Sequence, residues 1–161
     1  MARRLFLIAL LYPAWLAMML VHESGHVLGA LATGGTVQRV VWGPFILSRT
    51  DVSPNPSPLL VAWAGPVIGS ALPVLAMAAL WRTRARRPAA FFAGFCLIAN
   101  GVYIGVGWFD RAGDAGEMIR LGSPRWMLVM FGTIAATSGL WIWHRLGQHL
   151  LPRPVFRERT G

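Results

Sequence analysis

The chain has 161 residues, 55% of them hydrophobic and only 13% charged, with 15 arginines, no lysine, six acidic residues and a net charge of +9. A soluble domain carries about 25% charged residues, and a disordered chain combines low hydrophobicity with dense charge; a mean hydropathy of +0.53 fits neither. The arginines cluster at the ends of apolar runs, as they do beside membrane spans, which argues against a nucleic-acid partner.

The first apolar run covers 5–32. Its length, and the presence of His22, Glu23 and His26 within it, separate it from a cleaved signal peptide, and it reads as a retained span. The segment 36–52 is β-rich: Val37, Val40, Val41 and Trp42 lead to a Gly43-Pro44 turn, then Phe45, Ile46 and Leu47, which predicts a short hairpin. A Ser-Pro-Asn-Pro-Ser-Pro stretch then halts regular structure before a second span at 58–81. Four arginines between 82 and 87 separate it from a third span at 89–109, where Cys96, the sole cysteine, reads as a small buried residue. The segment 110–125 is a polar loop with helical character at 114–121. A fourth span covers 126–144, and a basic tail, 145–161, follows.

Each run reaches or approaches the roughly 20 residues that a spanning helix needs. The expected fold is an all-α membrane protein: one domain, a bundle of about four transmembrane helices, and a short β-hairpin between the first and second spans. Four spans put both termini on one face, together with ten of the 15 arginines, so the positive-inside rule predicts cytoplasmic termini. Gly-x-x-x-Gly spacings at Gly25/Gly29, Gly65/Gly69 and Gly101/Gly105, one on each of three spans, suggest three helices packed closely around the His-Glu motif at 22–26.

The chemistry lies in His22-Glu23-Ser24-Gly25-His26. In a helix, residues four apart share a face, so the two imidazoles can converge on one ion. Zinc is the usual ion for this pattern, and the intervening Glu23 is the general base for the metal's water. Ionisable groups inside a span are expensive and mark function. Catalytic zinc takes three protein ligands. The third must lie on the same membrane face as His26, which leaves Asp51, Asp110, Asp114 and Glu117. His144 and His149 fall near the opposite face. Asp114-Ala115-Gly116-Glu117 also fits a helix capping box. Asn100, inside the third span, suits an interhelical hydrogen bond or the orientation of a substrate carbonyl.

These residues resemble the site-2 protease family of intramembrane zinc metalloproteases. The likeness rests on the His-Glu-Ser-Gly-His run in a first span, Gly34-Gly35 after it, Ala64-Gly65-Pro66 on a middle span, and Gly113-Asp114-Ala115-Gly116 near the end of a later one. It covers roughly residues 5 to 121. The resemblance implies one zinc per chain on His22, His26 and Asp114, Glu23 as the catalytic base, and membrane-anchored peptides or proteins as substrates. With no PDZ-like sensing domain, substrate choice would fall to the bundle, the hairpin or a regulatory partner. Two other functions fit the same residues: a non-catalytic membrane binder that keeps the fold, and a metal-dependent hydrolase acting on a non-peptide bond.

Overall fold

The computed structural model describes residues 2–46, 48–111 and 113–148, with side chains from residue 9 onward. The expectations placed on Arg3, Arg4, His149 and the end of the tail lie outside the described side chains. The order of elements is α1 (Ala2–Ala32), β1 (Val37–Val41), β2 (Arg49–Val52), α2 (Pro58–Ala79), α3 (Arg86–Gly107), α4 (Gly113–Arg120) and α5 (Arg125–Gln148). The chain is therefore mostly helical, with one antiparallel hairpin between its first two helices.

Among the described residues, α2, α3 and α5 are long and apolar enough to cross a membrane. Four spans were expected; the described part of α1, which contains the His-Glu motif, is not among the three. The helix ends differ from expectation for local reasons. α3 begins at Arg86 because Pro88, which lacks an N–H, sits in its first turn, where no intrahelical donor is needed. α5 runs on to Gln148, whose side chain meets His144 one turn back at 3.0 Å. α2 also opens on a proline, Pro58, and tolerates Pro66 and Pro73 within it.

α1 packs on α2, α2 on α3, and α3 on α5. Between helices in lipid there is little hydrophobic driving force, so small residues and close backbone approach replace it. At Gly25 of α1, an added Cβ would lie 2.5 Å from the Ala64 carbonyl oxygen of α2. At Gly132 of α5, an added Cβ would lie 2.5 Å from Gly105 Cα of α3. The expected glycine spacings thus mark real helix contacts, but Gly101 and Gly105 join α3 to α5 rather than to the motif helix. The apolar centre consists of Ala62, Ile104, Ala115, Met118 and Leu128, with Trp63 and Phe131 packed at its edge. Trp63 Nε1 donates to Ser123 Oγ at 2.8 Å, tying α2 to the turn before α5.

The hairpin pairs Arg39 with Asp51, Val40 with Thr50 and Val41 with Arg49, with an irregularity between Val37 and Arg39. Its second strand is not the apolar one that was expected. Phe45 and Ile46 lie in the connection, with Phe45 91% exposed, and the polar Arg49–Val52 forms β2 instead. The cross-strand ion pair of Arg39 with Asp51, 2.9 Å, favours that register. Trp42 Nε1 donates to the Leu16 carbonyl at 3.4 Å, laying the hairpin along α1.

Between α3 and α4 the chain turns sharply. Arg111 and Gly113 both adopt left-handed backbone conformations, φ 55° and 56°. This folds α4 back beneath α3, so that Asp114 faces α1.

Candidate metal centre

His22 and His26 lie one turn apart on α1 and project together, as the four-residue spacing requires. Both are buried, as is Glu23 between them at 3% exposure. Asp114 arrives from α4. Its Oδ2 is 2.8 Å from His22 Nε2 and 3.4 Å from His26 Nε2, and the two Nε2 atoms are 3.1 Å apart.

The outer ring nitrogens are both held. His26 Nδ1 donates to the Val61 carbonyl of α2 at 2.8 Å. His22 Nδ1 lies 2.6 Å from Asn100 Oδ1 of α3. The Asn100 amide is oriented in turn, because its Nδ2 donates to the Cys96 carbonyl at 2.9 Å. A carbonyl only accepts, so each neutral imidazole carries its proton on Nδ1 and turns a bare Nε2 inward.

Three lone-pair atoms therefore converge with no donor among them. One added proton would satisfy one contact; a cation satisfies all three. A tetrahedral ion with bonds of about 2.0–2.1 Å needs donor atoms roughly 3.3 Å apart, and the observed 2.8, 3.1 and 3.4 Å bracket that value. The donor set fits a small metal ion such as zinc. Among the described residues, His22, His26 and Asp114 are the group that could hold one.

The capping-box reading of the 114–117 segment is corrected. Glu117 turns away to Arg120, whose Nε donates at 3.0 Å, and the Asp114 N–H donates to Tyr103 Oη at 3.1 Å. Asp51 is likewise engaged elsewhere. Arg39 and then Arg49 hold its carboxyl below the ordinary value on the hairpin surface. Asp110 is not part of the converging group. Asn100 makes an interhelical bond to a histidine, and both ends of its amide are occupied by protein partners.

Glu23 accepts a hydrogen bond from Thr50 Oγ1 of β2 at 2.6 Å. The hairpin is thus joined directly to the motif. Two hollows meet at the centre. One, about 90 Å³, is walled by Met18 and Met19 and reaches His22, Glu23, Tyr103 and Asp114. The other, about 350 Å³ and more polar, lies between β2, α2 and α4 and reaches His26 and Asp114.

Two contributors were not anticipated from the sequence. Thr50 carries no motif. Tyr103 lies three residues after Asn100, so the two share a helix face in an otherwise apolar segment, and that spacing was the available signal. No protein-family model, no curated protein and no solved structure matches this chain.

Proposed function

We propose that the protein is an integral membrane zinc protease that hydrolyses peptide bonds of membrane-anchored substrates, with α1 as a fourth span and with both termini in the cytoplasm. The observation that carries this reading is the convergence of two bare imidazole nitrogens and a carboxylate beside the buried Glu23. The resemblance of His22-Glu23-Ser24-Gly25-His26 to the site-2 protease family points the same way.

His22, His26 and Asp114 would hold the metal, and Asn100 and the Val61 carbonyl orient the imidazoles. Zinc held there would supply a Lewis acid that acidifies a water and polarises a carbonyl. Glu23 takes the water's proton as the water oxygen bonds to the scissile carbonyl carbon. It delivers that proton to the departing nitrogen as the C–N bond breaks, which leaves one carboxylic acid and one amine product. Thr50 keeps the Glu23 carboxylate aimed while it does so. Tyr103 accepts from the Asp114 N–H and retains its own hydroxyl proton. It lines the same hollow as Glu23, and donates to the carbonyl oxygen as negative charge builds there. The methionine-walled hollow suits an apolar segment of substrate, and the polar hollow beside His26 suits the entry of water. A substrate in helical form hides its carbonyls, and addition to the edge of β2 would hold it extended next to Glu23.

The test is cleavage of a membrane-anchored peptide by the purified, zinc-loaded protein in lipid vesicles. Wild type should cut it. Glu23→Gln should keep its zinc and lose several orders of magnitude in rate. A wild-type protein that binds zinc and cuts no such peptide would turn the reading to a non-catalytic binder, and cleavage by Glu23→Gln at the normal rate would remove the mechanism.

A further inference from the structure

At the end of the bundle opposite the metal centre, α2 and α5 both pack on α3 without forming an interface with each other. The gap between them is a groove floored by Leu97 of α3. Trp63 against Phe131, ring centroids 5.7 Å apart, closes it at the end near the metal centre. Adjoining hollows of about 460, 690 and 290 Å³ follow one another along it, sharing Val74, Leu97 and Ser138 and then Met77, Trp141 and Ile142. The walls are apolar until the last hollow, where Arg86, Arg87 and Arg145 gather.

Among the described residues the charge at that end is uncompensated: no carboxylate pairs with these three arginines, and the ion pairs formed by arginine lie on the hairpin and on α4. Two of the three are held by aromatic rings instead: Arg86 lies 3.7 Å from the Trp81 ring centroid and Arg145 lies 5.7 Å from that of Trp141. α3 also begins here, with no side-chain cap and no acidic residue in its first turn, so its N-terminal amides add to the positive potential. Tryptophan beside arginine at a helix end is the pattern of a membrane–water boundary, and basic pockets between spans on the cytoplasmic side suit anionic head groups.

We propose that this groove is a binding site for an anionic glycerophospholipid, with the phosphate among Arg86, Arg87 and Arg145 and an acyl chain lying between α2 and α5. The site needs the membrane placement of the helices but neither the metal nor catalysis. A free anion would use the arginines and leave the groove empty. An apolar peptide would use the groove and leave the arginines unmatched. An anionic lipid uses both.

The experiment is equilibrium binding of acyl-labelled phosphatidylglycerol and phosphatidylcholine to the purified full-length protein in neutral detergent. Phosphatidylglycerol should bind more tightly, by a factor of order 100 for three arginines near the surface. The combined variant Arg86→Gln, Arg87→Gln, Arg145→Gln should lose that preference while keeping its helical circular dichroism. Ser138→Phe, which fills the groove at an exposed wall position, should weaken both lipids and leave the arginines intact. Glycerol phosphate should not displace the labelled lipid at equal concentration. Equal binding of the two lipids would overturn the proposal, as would an undiminished preference in the triple variant or displacement by glycerol phosphate.

Discussion

His22 and Asn100 are joined at 2.6 Å from α1 to α3, and Asn100 is itself fixed by the Cys96 carbonyl one turn back. This chain decides which nitrogen of His22 faces Asp114. A partner that orients a metal-binding histidine is typically worth about 10–100-fold in metal affinity. Asn100→Ala should therefore weaken zinc binding by about that factor, measured by competition with a chelator, while Asn100→Asp, which still accepts from Nδ1, should stay close to wild type. Unchanged affinity in Asn100→Ala would show that the tautomer is set some other way.

Metal content separates the ligands from the base. Wild type should hold about one zinc per chain, since such sites bind with apparent energies large enough to survive purification. His22→Ala and His26→Ala should abolish it, and Glu23→Gln should not. Equal zinc in all of them would mean that the ion, if any, sits elsewhere.

Asp114 is tested by its amide. Asp114→Asn preserves size and removes the negative charge facing the two imidazoles, so it should lose zinc nearly as completely as Asp114→Ala. Asp110→Asn, outside the converging group, should retain both zinc and cleavage. Full zinc in Asp114→Asn would reduce Asp114 to a structural partner of Tyr103.

Thr50 carries a prediction that separates aim from binding. Thr50→Val removes the hydroxyl that donates to Glu23 at 2.6 Å and keeps the β-branched shape that suits the strand. Zinc content should be unchanged. The cleavage rate should fall by about 10²-fold, the scale of loss when a reacting group is slightly misplaced. Thr50→Ser should restore most of it. A normal rate in Thr50→Val would detach the hairpin from the chemistry.

The α1–α2 contact yields two different failures from one kind of substitution. Gly25→Ala sets a methyl group against the Ala64 carbonyl and should lower stability by about 1–3 kcal/mol, the usual range for overpacking. Gly65→Ala would set its methyl group against the His26 ring, so it should reduce metal content ahead of stability. Gly147→Ala, with open space around it, is the control. Thermal unfolding and zinc analysis of the three proteins check this, and identical behaviour in Gly25→Ala and Gly147→Ala would count against the close packing.

Much of this architecture was legible because it is local. The 3.6-residue turn alone brings His22 and His26 together, and uninterrupted apolar length marks α2, α3 and α5. The third member of the converging group was a different matter. Four carboxylates shared the correct side, and what selects Asp114 is the left-handed turn at Arg111 and Gly113 together with the Tyr103 hydroxyl on the Asp114 amide. Those are contacts between segments that spacing does not encode. The hairpin was misread for a related reason. Phe45 and Ile46 look like strand residues by propensity, but β2 is chosen by partners across the gap: Arg39 for Asp51, and Glu23 for Thr50. The interhelical hydrogen bond of Asn100 was legible as a role but not as a pair, because its histidine partner lies 78 positions away.

The distance along the chain between His22 and Asp114 also sets a schedule. Both histidines leave the ribosome early, with Glu23 between them, while the aspartate that completes their group comes 92 residues after the first of them. A chain synthesised only as far as α3 already has Glu23 and its oriented imidazoles, yet lacks the last donor. Assembly of the centre is therefore timed by translation of α4. A truncated or stalled product holds the two histidines without the carboxylate that completes the group, so the full set of three donors is confined to chains that have been made at least as far as Asp114.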